Sequence, residues 1–408
     1  MASSVSPRLL YLFATGSWFL AHGMHAVAYA WLVTMQLEAS PTQVGLSQML
    51  FLLPGTIFIL IGGSLADRFG GRRPAMIAQT VAAVAPLLLA LAIDLGQLSL
   101  ELMFGYAVLL GTALAFLTPS RDGLLNQVAA GRVQRTVMLT SIVQFGMQIV
   151  GALLAASIDW SGPQPILYGQ VAILLAGAVA FFLLPRAPVG DSSGARQHLL
   201  QLIADGARAV WDAPALRVIV VQNVAMGVLF MGSFIVLFPL LVREVYGGQA
   251  SDLSMVNAIN ALGLVTTIFL LLRFGDVHRQ GRALILAQTI GSVVLFGAAC
   301  MPTFSGFVTL IFLWGICGGV AMTMARTIMQ EQAPPAMRGR VMSFYAMSFM
   351  GAGPLGALFC GLLARYLGPA SAVLVAASSM FLIMLLVAVS SVLPRIDSTE
   401  IVLAADAT

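Results

Sequence analysis

Twelve runs of mostly apolar residues, each closed off by charge, proline or glycine, dominate this chain. They fall at about 10–36, 44–66, 75–95, 101–119, 136–157, 165–185, 216–240, 254–272, 283–301, 305–325, 341–363 and 370–393. A helix needs about 20 such residues to cross the hydrocarbon core of a bilayer. The runs are continuous rather than alternating, which selects helices and excludes a β-barrel. With 59% hydrophobic and only 9% charged residues among 408, a water-soluble fold is excluded, since soluble domains carry about 25% charge. Forty glycines and 18 prolines fit membrane helices, where small residues allow close approach and packing re-satisfies the groups proline frees. The expected fold class is an all-α membrane protein with twelve transmembrane helices. The first apolar run is too long for the core of a cleavable signal peptide.

The basic residues test that count. With the N-terminus inside, one set of connections holds Arg8, Arg68, Arg72, Arg73, Arg121, Arg132, Arg135, Arg186, Arg196, Arg208, Arg217, Arg273, Arg279, Arg282, Arg326, Arg338, Arg340 and Arg395. The other set holds only Arg243 and Arg365. Cytoplasmic loops are the Lys- and Arg-rich ones, so both termini are expected in the cytoplasm. The same asymmetry explains the net charge of +4 as topology, with no nucleic-acid partner implied. Every cation is arginine, which reads as compositional bias. Cys300, Cys317 and Cys360 lie in or at apolar runs without metal or disulfide spacing and are expected to pack.

The chain divides into a first six-helix bundle over 1–185, a cytoplasmic linker over 186–215, a second bundle over 216–395 and a tail over 396–408. Pro185, Pro188 and Gly190 mark the linker. Within it, 196–212 can form an amphipathic helix, with Leu199, Leu202, Ile203 and Val210 opposing Arg196, Gln201, Asp205, Arg208 and Asp212. A shift of 205 residues superposes Arg121 on Arg326, Gln127 on Gln332, Arg135 on Arg340, Gly146 on Gly351 and Gly151 on Gly356. An earlier echo relates 67–73 to 276–282 with one residue of slippage. Two such halves about an axis along the membrane normal are a known transporter plan, with substrate bound near mid-depth.

Gly63-Ser64-Leu65-Ala66-Asp67-Arg68-Phe69-Gly70-Gly71-Arg72-Arg73 resembles the loop signature of the major facilitator superfamily, G-x-L-a-D-R-x-G-R-[RK]. It lies between helices two and three, as in that family, with one extra glycine. Arg338-Gly339-Arg340-Val341-Met342-Ser343, followed by Gly351-Ala352-Gly353-Pro354-Leu355-Gly356, is similar to the branch of siderophore and macrolide exporters. The resemblance implies a cytoplasmic gate motif in which Asp67 sits at the N-terminus of helix eleven, a favourable place for a carboxylate. In it, Arg68 and Arg72 pair with acidic neighbours, Asp122 first. Asp276, Arg279, Arg282 and Glu331 would be the mirrored set. Plain topogenic charge is the alternative reading. Gly146, Gly151, Gly351, Gly353 and Gly356 would let helices of opposite halves approach and slide. Many exporters of the superfamily carry Gly-Pro in helix five; here Gly353-Pro354 stands in helix eleven instead.

Intramembrane charges are functional by default, and no acidic residue falls at the centre of a span. The polar candidates are neutral. His22 and His25 share one face of helix one and either carry a coupling proton, contact substrate, or serve as interhelical hydrogen-bonding groups. Gln144 and Gln148 form a stripe on helix five, Asn257 and Asn260 another on helix eight, and Gln222 and Asn223 lie on helix seven. Each pair either lines a cavity or glues helices. Trp18, Tyr29, Trp31, Tyr106, Phe230, Phe234, Trp314 and Tyr345 suit an amphipathic, mostly apolar substrate. No phosphate-binding G-x-x-x-x-G-K-[ST] loop occurs. The expected function is secondary active efflux of small hydrophobic or amphipathic compounds by alternating access. An importer or facilitator of a metabolite is the alternative, and an enzyme using the histidines is a remote one. Expected partners are the lipid bilayer of the bacterial inner membrane and a small-molecule substrate, with protons as candidate coupling ions. Neither cofactor nor metal is expected, and a monomer suffices.

Overall fold

The structure is a computed structural model that describes residues 6–129, 133–185, 207–274, 277–333 and 337–396. Among these residues every regular element is helical. The first half contains α1 (Pro7–Trp31), extended by a π turn over Leu32–Gln36, then α2 (Pro41–Phe69), α3 (Arg72–Asp94), α4 (Leu100–Val128), α5 (Val133–Ala155), a single turn α6 (Ile158–Ser161) and α7 (Pro163–Leu183). The second half contains α8 (Pro214–Met226), continued through π segments Gly227–Met231 and Ser233–Leu237 into α9 (Phe238–Glu244). There follow α10 (Ala250–Phe274), α11 (Gln280–Ala299), α12 (Phe304–Gln332), α13 (Arg338–Leu367) and α14 (Pro369–Ser390). Ten of the helical stretches are long and apolar enough to cross a membrane, with Pro214–Glu244 counting as one. The long helices α1 and α2, of 25 and 29 residues, stand outside those ten.

The helix starts carry matching signals in the two halves. Ser99 accepts a hydrogen bond from the Leu102 amide at the start of α4. Thr303 accepts one from the Gly306 amide at the start of α12. Gly162 at φ 74° precedes Pro163, and Gly368 at φ 78° precedes Pro369. At both sites glycine supplies the left-handed turn and proline opens the next helix. Ser40 and Gln43 form a capping box on α2.

The chain divides into two compact units. One holds the described residues up to 185 together with Gly247–Ala258; the other holds 207–246 and the residues from Ile259 onward. Within the first, α1 packs on α5 and α2 on α4 through glycines. A Cβ on Gly23 would lie 2.2 Å from the Gln148 carbonyl oxygen, and one on Gly151 would lie 2.1 Å from that of Leu20. In the second unit, a Cβ on Gly356 would lie 2.6 Å from the Gly227 carbonyl oxygen. Gly151 and Gly356 therefore seat helices inside their own units, which corrects the expectation that they join opposite halves. Gly146 is exposed and a Cβ there would meet nothing within 4 Å, so it seats no helix within its own unit. Gly353 and Pro354 are buried on α13 and Gly351 is half-buried. Cys300 is exposed, against the expectation that all three cysteines pack. Of the expected 196–212 helix, 207–212 is helical with Val210 buried, and 196–206 lies outside the described residues.

Candidate functional site

One face of α1 carries a row of polar and aromatic side chains. Arg8, Tyr11, Thr15, Trp18, His22, His25 and Tyr29 follow one another at steps of three or four residues, the spacing that keeps side chains on a single helical face. His25 is 3% exposed, and its Nδ1 lies 3.0 Å from the Tyr106 hydroxyl of α4. Phe51 of α2 stands 4.6 Å from the His25 ring, Tyr29 5.1 Å and Tyr106 5.6 Å, centroid to centroid. Tyr29 in turn donates toward the Met103 and Ser47 carbonyls. An aromatic box thus fixes one histidine. His22, half-buried one turn earlier, faces Trp18 and Phe51 at 6.4 and 6.3 Å and has no hydrogen bond among the described residues.

Further along the same face, the Tyr11 and Thr15 hydroxyls and Nε and Nη2 of Arg8 are buried with no hydrogen bond within 3.5 Å among the described residues, the Tyr11 hydroxyl having Thr15 and Thr140 as its polar neighbours. Leaving such a group unpaired costs about 1–3 kcal/mol. Opposite this stretch lies Arg121 of α4, only 8% exposed. Its guanidinium carbon sits 4.9 Å from the centroid of the Phe19 ring, and Nε and Nη2 donate to Oδ1 of Asp122 at 3.1 and 3.0 Å. Tyr11 and His22 both lie within the field of this cation. Sequence reasoning counted Arg121 among the loop charges and missed Tyr11 and Thr15. Extending the His22–His25 spacing back along α1 would have found the two hydroxyls.

The buried glutamines complete the picture. Gln79 donates to the Ser17 hydroxyl at 2.8 Å, and Gln170 to the Ala21 carbonyl at 2.8 Å; both are buried. In the second unit Gln222 is 1% exposed, with neither amide atom hydrogen-bonded among the described residues. Asn223 donates to the Tyr345 carbonyl and the Ser348 hydroxyl, so it serves as glue between α8 and α13. Gln288 reaches the Met226 sulfur at 3.3 Å. Phe230, Phe234 and Phe238 cluster on Trp314. Asn257 returns its amide to Leu253 of its own helix, and Asn260 is buried against Gly315. These two stripe members belong to different units. Gln144 and Gln148 are half-buried, without a side-chain hydrogen bond among the described residues.

Among the described residues, two arginines of the gate motif and its mirrored set hold helix ends. Arg72 does not reach Asp122, whose partner is Arg121. It donates instead to the Phe181 and Phe182 carbonyls at the end of α7, where a cation satisfies unpaired carbonyls and favours the helix dipole. Arg282 makes the equivalent bond to the Pro394 carbonyl at 3.0 Å, and Glu331 accepts from Gln280 rather than pairing with Arg279 or Arg282. The arginines that open α3 and α11 therefore staple the ends of helices within their own units. Arg68 and Arg73 are exposed, and Gly63 lies near Pro119. Asp276 and the side chain of Asp67 lie outside the described residues, and Gly70 adopts φ 68° at the end of α2.

A model of the transmembrane secretion effector family of the major facilitator superfamily matches residues 11–406. The chain belongs to that family. It is 28% identical over 380 residues to a protein named multidrug efflux pump Tap of Mycolicibacterium fortuitum, covering 89% of this chain and 90% of that one. It is also 28% identical over 348 residues to a protein named enterobactin exporter EntS of Escherichia coli, covering 81% and 79%. Among solved structures, the nucleoside transporter NupG superposes with a TM-score of 0.71 at 16% identity, over 93% of this chain and 98% of that one. An inward-facing bacterial homologue of the lysosomal transporter Spinster gives 0.69 at 14%, over 96% and 97%. These likenesses establish the fold class of a transporter of this superfamily. The chain is a multi-pass membrane transporter and not an enzyme.

Proposed function

We propose that this transporter exports small hydrophobic or amphipathic compounds, drug-like or siderophore-like, across the bacterial inner membrane by alternating access. Its ten apolar spans together with α1 and α2 make twelve, in two six-helix bundles, working as a monomer with both termini in the cytoplasm. The observation that carries the reading is the polar face of α1. Apart from Ser17, which is bonded to Gln79, the polar side chains of α1 fall in one row that includes a boxed histidine and two buried hydroxyls, with Arg121 of α4 beside it. A row of protonatable and hydroxyl groups suits proton passage and contact with a polar part of an amphipathic solute. The names of the relatives favour export over import, and Gln222 is the corresponding candidate in the second unit. Asp67 remains the candidate latch residue.

The test is dye transport in inverted vesicles, with a panel of amphipathic fluorescent dyes and an imposed pH gradient. Gradient-driven dye accumulation is expected from the wild type. His25→Ala is expected to lose gradient dependence, whereas Tyr106→Phe, which keeps the box but removes one partner, should shift the pH profile and retain transport. Equal accumulation with and without the gradient in the wild type would remove proton coupling. Absence of transport across the whole panel would remove the substrate class.

A further inference from the structure

We infer that a groove between α2, α3 and α4 binds one anionic phospholipid, with an acyl chain between the helices and the phosphate at Arg73. The groove encloses about 430 Å³. Ala78 and Ala113 form its floor, Phe69, Ile77 and Phe116 its walls, and Arg73 stands at one end. It exists because the floor residues are small: both alanines are 5% exposed or less, while Ile77 above them is 56% exposed. The opening therefore faces sideways, where a spanning protein meets lipid.

The occupant follows from what the groove offers. Its apolar part holds no free polar group, since the Thr112 hydroxyl donates to the Val108 carbonyl at 2.7 Å. Water and polar solutes gain nothing there, whereas a hydrocarbon chain does. The end of the groove has the opposite character. Arg73 is exposed and has no ion pair among the described residues, and neither has Arg68, whose guanidinium carbon lies 5.4 Å from the centroid of the Phe69 ring that forms a wall. Arg72, between them in sequence, is turned away to the end of α7. Two of the three loop arginines thus remain for an anion placed where the apolar channel ends, and a phosphate matches the guanidinium fork. A zwitterionic lipid would fill the channel and offer its phosphate too, but its ammonium would place a further cation beside the same two arginines. Basic residues near a membrane surface contribute an anionic-lipid preference of roughly fivefold each.

Native mass spectrometry of the detergent-solubilised protein tests this, with equimolar phosphatidylglycerol and phosphatidylethanolamine of identical chains. One phosphatidylglycerol adduct should persist, favoured at least about fivefold. Arg73→Gln should bring the two lipids toward parity without lowering the unfolding temperature. Thr112→Phe and Ile77→Trp, which fill the channel from different helices, should reduce adducts of both lipids. Equal retention of the two lipids by the wild type would overturn the proposal. So would an unchanged preference in Arg73→Gln, or full lipid retention by folded channel-filling variants. Displacement of a bound hydrophobic dye rather than of lipid would make the groove a substrate port instead. Should the filling variants not fold, the Arg73 comparison still decides.

Discussion

Arg121 and Arg326 occupy matched positions of the internal repeat, yet Arg121 is buried and Arg326 is exposed. The same residue type therefore does different work in the two halves. Among the described residues Arg121 has one counter-charge, Asp122, whose side chain is 61% exposed. Breaking a fully buried pair costs about 3–5 kcal/mol, but solvent at Asp122 screens this one toward the value of about 1 kcal/mol for surface pairs. Asp122→Asn, which leaves the cation unpaired, is thus expected to destabilise by about 1–2 kcal/mol. Arg121→Gln should cost less and yet abolish transport. Thermal unfolding in detergent beside a vesicle assay checks both, and an Asp122→Asn protein as stable as the wild type would show that the pair is idle. The sequence made His22 and His25 legible because polar residues in an apolar run stand out. It hid Arg121, because a cation beside a loop looks the same whether it turns outward or folds back over Phe19. It also misplaced Arg72, since the carbonyls it serves at 181–182 are more than a hundred residues away in sequence and carry no side-chain signal.

Helices α1 and α5 meet through glycines whose neighbours are backbone atoms, and backbone cannot step aside as a side-chain tip can. A Cβ on Gly23 would stand 2.2 Å from a carbonyl oxygen, so Gly23→Ala must push α1 off α5. Overpacking of this kind costs about 1–3 kcal/mol. Gly146→Ala, on the same helix pair but facing open space, should be neutral or slightly stabilising, because alanine is the better helix former by about 1 kcal/mol. Unfolding temperatures of the two variants, measured side by side, should therefore move in different directions; equal shifts would mean that the α1–α5 seam is looser than its geometry. At this scale the sequence was largely legible: long helices answer the apolar runs, and the repeated caps at Ser99 and Thr303 and the Gly-Pro steps at 162–163 and 368–369 punctuate them. What it could not give was the partner of each glycine. Gly146 and Gly151 look alike on α5, and five residues of helical rotation send one to α1 and the other outward. The break of the seventh run into α8, two π segments and α9 was equally silent, since a π turn shifts the hydrogen-bond register without needing a marked residue.

Orientation in the membrane belongs to the molecule as a whole, because it is set by the sum of all loop charges rather than by any one contact. Eighteen of the 20 arginines, all but Arg243 and Arg365, fall on the connections assigned to the cytoplasm. A reversed orientation would carry those charges across the membrane, which the bias of insertion opposes. Cysteine labelling in intact cells reads the result directly. Cys300 is exposed, so the three native cysteines must first be replaced. Gln97→Cys, exposed between α3 and α4, should then react with a membrane-impermeant maleimide added outside the cytoplasmic membrane. Ser192→Cys, in the connection between the halves, should react only after the cells are opened. The two sites lie on opposite faces only if an odd number of spans separates them, as α4, α5 and α7 do. Labelling of both from outside would remove a span from the first half, and the exchanged pattern would invert the protein together with its direction of export.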